Sequence, residues 1–203
     1  MKVNPKDFFE GKALDYDKEV ARRRNVSNIA QLMMKEADYK QSMGIMDFGS
    51  GTGLLLSDIA PSVGKITALD ISKSMNEVLE SKRDRIKCEL EIMEMDLTKE
   101  NLERQFDGII SSMTIHHVKD ISALFEKFYK MLPVNGTIAL ADLDTEDGSF
   151  HKVNRGVHHL GFDRDGFLGF AKKAGFKNLK IQTASIIEKP YGKYPVFLLT
   201  GNK

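Results

Sequence analysis

A chain of 203 residues with 41% hydrophobic side chains can bury one substantial core, and no linker-like stretch divides it. Lys and Arg exceed Asp and Glu by a formal +1, which excludes the basic excess of a general nucleic-acid or membrane-surface binder. A single cysteine, Cys88, excludes an internal disulfide or a CxxC pair; with no apolar leader and no run near the roughly 20 apolar residues of a membrane span, a reducing cytoplasm is expected.

The first periodic segment is 16–39, free of Gly and Pro, with Val20, Ile29, Leu32, Met33 and Ala37 spaced for one face of a helix. The run Arg22, Arg23, Arg24 within it reads as a solvated helix face. Short apolar runs and helical patterns then alternate. "GIMDF" (44–48) predicts a strand ending in glycines, and "LLLSDIA" a helix stopped near Pro61. "KITALD" (65–70) predicts a second strand, followed by a helix capped by Ser72 with Met75, Val78, Leu79 and Lys82 on one face.

A third strand is expected at 90–96, a fourth at 106–113, a helix capped by Asp120, and a fifth strand at 137–142 after the turn "PVNG". Asp163 reads as another N-cap, with Phe162 and Phe167 as a hydrophobic staple and Gly175 as the C-terminal stop. "KIQTASII" and "YPVFLLT", a short loop apart, suit an antiparallel pair. Strands alternating with helices imply an α/β fold: a Rossmann-like doubly wound, mostly parallel seven-stranded sheet with an antiparallel C-terminal strand and helices on both faces. Ligands of such sheets lie beyond the carboxyl ends of the strands.

The residues at those ends form a series. Gly49, Gly51 and Gly53 follow the first strand and open a helix, where a ligand can approach backbone closely. Asp70 ends the second strand about 20 residues further on, the place from which a carboxylate binds ribose hydroxyls. Asp96 ends the third predicted strand likewise. A glycine turn and two acids on successive strands suit an adenosine moiety lying across the sheet. Leu54 replaces the last glycine of a dinucleotide fingerprint, and no P-loop exists. Asp47, two residues ahead of the turn, would oppose phosphates but suit an ammonium, so a ligand ending in an amino acid is favoured.

In this order, "IMDFGSGTG", "ALDIS", "MEMDLT", "FDGIISSMTIHHVKD" and "LPVNGTIALAD" resemble the class I S-adenosylmethionine-dependent methyltransferases, in particular those similar to the ubiquinone/menaquinone-biosynthesis enzymes. The resemblance covers 8–200 and implies one domain, 1–203, with 1–40 as a helical lid segment and 41–203 as the cofactor-binding core. It implies S-adenosylmethionine as cofactor, with Asp47 and the backbone of Gly49, Gly51 and Gly53 holding its methionine part and Asp70 its ribose. Ile71 and Met75 would lie against the adenine, Asp96 and the backbone of Leu97 would read its amino group, and Ser112 and Met113 would line the methionine side. The opening "FFEGKALDYDKEVARR" also resembles that family's, and Tyr16 would sit at the carboxylate end.

Displacement at a sulfonium needs alignment, and a base only where the acceptor arrives protonated. All five histidines, His116, His117, His151, His158 and His159, lie beyond the fourth predicted strand; His117 and His151 are the candidate bases. With Asp142, Asp144, Glu146 and Asp147 they are usable metal ligands, but no rigid H-x-x-x-H pair is present and no metal is expected. The [DN]-P-P-[FY] turn of amino-directed base methylation and the Pro-Cys nucleophile of cytosine C5 methylation are both missing. A small-molecule acceptor is expected, with no nucleic acid, and a homodimer is left open. The rival readings are a non-catalytic binding protein on the same fold and a nicotinamide-dependent oxidoreductase.

Overall fold

The computed structural model describes residues 7, 11–151 and 156–203. A single helical turn, α1 (Ala13–Tyr16), comes first and is followed by the long helix α2 (Val20–Glu36). The single helix expected over 16–39 is therefore broken. Glu19 is extended at the N-cap of α2, and Asp17, just before it, is drawn away by Thr52 and Lys82. Val20 consequently points outward, 68% exposed, while Ile29 and Met33 are buried as their spacing predicts.

The sheet comprises β1 (Gly44–Phe48), β2 (Lys65–Asp70), β3 (Glu89–Glu94), β4 (Gly108–Ser112), β5 (Thr137–Leu143), β6 (Lys177–Lys189) and β7 (Gly192–Asn202), in the order β3-β2-β1-β4-β5-β7-β6. Strands β1 to β5 are parallel, and β7 runs antiparallel between β5 and β6. The Rossmann-like doubly wound sheet is thus present, and its chain order reverses at β1 and β4. β3 stops at Glu94, so Asp96 lies two residues beyond the strand it was expected to end.

Helices α3 (Leu54–Ile59), α4 (Lys73–Glu80), α5 (Ile121–Lys130) and α6 (Arg164–Ala174) complete the layers. Three start where capping chemistry says they should: Ser72, Asp120 and Asp163 accept from the backbone N–H of Met75, Ala123 and Gly166. Gly175 ends α6 in the left-handed region at φ +107°, and the Phe162 and Phe167 rings meet at 4.8 Å. α4 ends at Glu80, so Lys82 lies past the helix whose inner face it was expected to share.

Alternation along the strands divides the core in two. Met46, Ile109, Ile138 and Leu140 pack with Phe125, Phe128 and Phe167 of α5 and α6. Ile45, Ile110, Ala139 and Ala141 pack with Ile29 and Met33 of α2, Leu56 and Ile59 of α3, and Leu79 of α4. The same parity assigns Asp47 and Ser112 to the α2/α3 side and Asp142 to the α5/α6 side. Among the described residues no helix is long and apolar enough to cross a membrane.

Candidate active site

The chain leaves β1 through Gly49, Gly51 and Gly53 at φ of +72°, +54° and +82°, a region that costs other residues about 1–2 kcal/mol. The three glycines do different things. A Cβ on Gly49 would lie 2.1 Å from the Thr114 methyl, and one on Gly53 would lie 2.4 Å from Leu79 Cδ1. Those two positions let the loop after β4 and helix α4 close on the turn. Gly51 alone has nothing within 4 Å of that point and borders open space.

Their N–H groups are all engaged within the protein. Gly49 donates to the Leu69 carbonyl at 2.7 Å, Gly51 to Asp70 Oδ2 at 2.8 Å, and Gly53 to the Ser50 carbonyl at 2.9 Å. What the turn presents is therefore carbonyl oxygen, carboxylate and room.

Asp47 is 1% exposed, and its Oδ2 has no hydrogen-bond partner among the described residues. Burial, and then the charge of Asp70, push its carboxyl up to about 8. A carboxylate with an orphaned oxygen in low dielectric fits a cation, and it would repel a phosphate. Asp70 accepts from the N–H of Gly51 and of Ser72, each at 2.8 Å. Burial raises its pKa, and these two donors pull it back. Ser50 Oγ and Ser112 Oγ are also buried without partners. Unsatisfied polar atoms therefore gather along the glycine turn and the end of β4.

The remaining positions of the expected cofactor site vary in openness. Ile71 is 64% exposed beside Asp70, whereas Met75 and Leu97 are buried. Met113 sits in the left-handed region at φ +57°, its N–H on the Ala141 carbonyl. Asp96 caps its own turn: Oδ1 accepts from the Thr98 N–H at 3.0 Å and hydroxyl at 2.5 Å, and Lys99 pairs with Oδ2 at 2.5 Å. Burial pushes that carboxyl up, but Lys99 and Thr98 outweigh it and hold it below its usual range.

The N-terminal segment reaches the same place. The Tyr16 phenol is raised mainly by burial and also by the charge of Asp70, and Arg22 stacks on its ring at 3.9 Å. Asp17 accepts from Thr52 Oγ1 at 2.5 Å and pairs with Lys82, which also donates to the Thr52 carbonyl at 2.7 Å. Asp7 accepts from Ser72 Oγ at 2.9 Å and from the Ser74 N–H at 3.1 Å. Sequence reasoning did not select Asp7 and Thr52, which no local motif marks.

On the other side of the sheet end, the histidines converge. The His116 ring lies 4.2 Å from that of His117 and 5.1 Å from that of His151. His158 and His159 donate their backbone N–H groups to the His116 carbonyl at 3.0 and 3.1 Å. His116 Nδ1 meets Asp142 Oδ1 at 2.7 Å, with side chains 1% and 0% exposed. Asp142 also accepts from the backbone N–H of His116 and of Leu143.

Of the two expected bases, His117 turns Nδ1 to the Gly156 carbonyl at 3.2 Å, and His151 Nε2 is buried without a partner among the described residues. Burial, and then neighbouring His116, push both down to about 4. The buried His–Asp pair is His116 with Asp142, neither of which sequence reasoning selected for that role. The signal lay in strand register: Ser112 pairs with Ala141, which puts Asp142 beside the chain leaving β4. Among the described residues no three His, Cys, Asp or Glu form a group that could hold a metal ion.

A family model described as a methyltransferase domain matches residues 46–140, from β1 into β5, a span that holds the glycine turn, Asp70 and His116 but stops short of Asp142 and His151. That domain is of the class I S-adenosylmethionine-dependent methyltransferase kind. S-Adenosylmethionine is that family's cofactor, and the orphaned carboxylate of Asp47 suits its cationic amino-acid end. The chain is 31% identical over 159 residues to a Schizosaccharomyces pombe protein named as an uncharacterized methyltransferase, a match covering 70% of this chain and 56% of that one. It spans about half the length of the curated relatives it matches.

Solved structures share the fold. Haemonchus contortus phosphoethanolamine N-methyltransferase 2, in complex with phosphomonomethylethanolamine and S-adenosylhomocysteine, matches with a TM-score of 0.70 at 17% identity, covering 87% of this chain and 52% of that one. The [4+2]-cyclase SpnF matches with a TM-score of 0.71 at 13% identity, covering 87% and 81%. One fold thus carries different chemistries, and the acceptor side must be argued from this chain's own residues.

Proposed function

We propose that the protein transfers the methyl group of S-adenosylmethionine to a small-molecule acceptor by direct displacement at the sulfonium. The observation that carries this reading is the orphaned, buried carboxylate of Asp47 ahead of a turn whose Gly51 borders open space, with Asp70 at the end of the neighbouring strand. In this reading Asp47 and the carbonyls of the Gly49–Gly51–Gly53 turn take the ammonium of the methionine part, with Ser112 and Met113 lining it. Tyr16 stands at the carboxylate. Asp70, holding two backbone donors already, has lone pairs left for the ribose hydroxyls. The open Ile71 supplies an apolar face for the adenine, backed by Met75, and Asp96 with the Leu97 backbone serves its amino group.

The cofactor supplies an activated methyl with a neutral thioether as leaving group. The chain's own contribution is alignment and exclusion of water, which can lower such a barrier by roughly 7–11 kcal/mol. A single domain over 1–203, with 1–40 covering the cofactor and no nucleic-acid partner, fits this reading, as does a cytoplasmic setting. Calorimetry with S-adenosylmethionine and S-adenosylhomocysteine tests it: saturable binding of both is expected, and failure of the folded protein to bind either overturns it. Release of S-adenosylhomocysteine against an acceptor panel then separates turnover from mere binding.

A further inference from the structure

We propose that His116, held by Asp142, is the general base of the reaction and that the acceptor is a neutral hydroxyl compound of phenolic or enolic acidity; this rests on the methyl-transfer reading above. Asp142 is an acceptor only, so the ring nitrogen facing it at 2.7 Å carries the proton. Nε2 of His116 is then a bare lone pair. It is buried and has no partner among the described residues, as is Nε2 of His151, whose ring lies 5.1 Å away. Two orphaned imidazole nitrogens in one cluster are a vacancy for a hydrogen-bonding group, since buried nitrogens are otherwise satisfied.

In the step itself, the acceptor oxygen forms a bond to the methyl carbon while the carbon–sulfur bond breaks and its electron pair stays on sulfur. The hydroxyl proton passes to His116 Nε2. The imidazolium that results is paired with the Asp142 carboxylate, which the N–H groups of His116 and Leu143 hold in place, and it returns the proton to water after product leaves.

The surroundings select both the base and the acceptor. The groups facing His116 are Asp142 from β5, His117 on its own turn, and His151, His158 and His159 from the connection after β5; Lys189 of β6 acts on His151. His117 and His151, held down to about 4, stay neutral near pH 7 and are poor proton acceptors there. An anionic acceptor such as a carboxylate needs no base and would approach the charge of Asp142. An aliphatic amine would enter as a cation to be desolvated among uncharged rings. A neutral hydroxyl meets neither cost.

The test measures S-adenosylhomocysteine release by the full chain with a series of phenols from 4-nitrophenol to phenol, with benzylamine and benzoate as the amine and carboxylate arms. His116→Gln should lower turnover of phenol at neutral pH by about 100-fold or more, the usual share of a general base. It should leave S-adenosylmethionine affinity within about 3-fold, and its pH profile should move to the acceptor's own ionisation, so that 4-nitrophenolate is nearly spared. Asp142→Asn, close in size, should act in the same direction and carries the test if His116→Gln fails to fold. Nitrogen-15 shifts of the His116 ring should show the Nδ1–H tautomer in the native chain and its loss in Asp142→Asn. Unchanged pH profiles in both variants, or turnover of benzylamine or benzoate but of no phenol, overturn the proposal. So does no turnover of any probe by a chain that binds S-adenosylmethionine; failure to bind it overturns the methyl-transfer reading instead.

Discussion

The two halves of the strand-end site differ in kind. Along β1 and β2 it is acidic, with both Asp47 and Asp70 buried, the charge of Asp70 adding to the cost of ionising Asp47, and Asp47 Oδ2 left unpaired among the described residues. Along β4 and β5 it is made of imidazole rings, of which His117 and His151 are held down to about 4, and its buried carboxylate, Asp142, is satisfied by three donors. An acidic crevice suits a cationic methyl donor, and a nearly neutral one suits an uncharged acceptor. The contrast teaches that donor and acceptor are separated by electrostatics as well as by position.

The hardest break of this contrast is at the glycine turn, where one motif contains two roles. Gly49→Ala adds a Cβ 2.1 Å from the Thr114 side chain at a φ of +72°, so strain and overpacking together should cost about 2–5 kcal/mol of stability by denaturant titration. Gly51→Ala meets no atom within 4 Å and should cost only about 1–2 kcal/mol of stability while weakening cofactor binding measurably. Equal stability losses would show that the turn is purely structural and that Gly51 does not border the ligand.

Asp70→Ala comes next. It removes a carboxylate that holds the Gly51 and Ser72 N–H groups and is proposed to hold the ribose, so S-adenosylmethionine should bind about 1.5–3 kcal/mol more weakly by calorimetry. Asp142→Asn should leave that affinity nearly unchanged. If both variants weakened cofactor binding alike, the two halves would be one site.

How much of each half was legible follows from how far apart its parts lie in the chain. Gly49, Gly51, Gly53 and Asp70 sit in one strand–turn–helix–strand unit whose geometry is local, and the caps Ser72, Asp120 and Asp163 were readable for the same reason. Asp96 was misplaced because β3 ends early and the acid closes its own turn with Thr98 and Lys99. The His116–Asp142 pair spans 26 residues and depends on the β4–β5 register, so composition pointed to histidines in general and to His117 and His151 in particular. The break between α1 and α2 depends on Asp17 finding Thr52 and Lys82, contacts that helical periodicity cannot see.

A smaller effect sharpens the acidic half. The Asp47 carboxyl is raised to about 8, above its unfolded value near 4, so the native state binds more protons than the unfolded state between those values. Stability attributable to this group is therefore highest at low pH and falls as pH rises through about 8. Asp47→Asn removes the titration, so relative to the native chain it should gain at least about 1 kcal/mol between pH 5 and pH 8. A cationic ligand reverses the preference, and binding near pH 7 should release a proton, visible as a dependence of the calorimetric heat on the buffer's ionisation enthalpy. No buffer dependence would mean that no cation meets Asp47.

The smallest expected effect concerns the tie between the N-terminal segment and the acidic half. Lys82 pairs with Asp17 and donates to the Thr52 carbonyl, the two side chains being about a quarter exposed, so solvent screens the pair. Lys82→Met keeps the stem and removes the charge, and it should cost about 0.5–1 kcal/mol of stability, less at high salt. Thr52 lies between Gly51 and Gly53, so loosening it should also reach the ligand: the cofactor should dissociate faster, while the pH profile of turnover, set on the other side of the sheet, stays where it was. A shift in that profile would show that the turn and the imidazole cluster are mechanically coupled through Thr114, whose hydroxyl donates to the Gly49 carbonyl at 3.2 Å and is the one side-chain bond joining the loop after β4 to the glycine turn among the described residues.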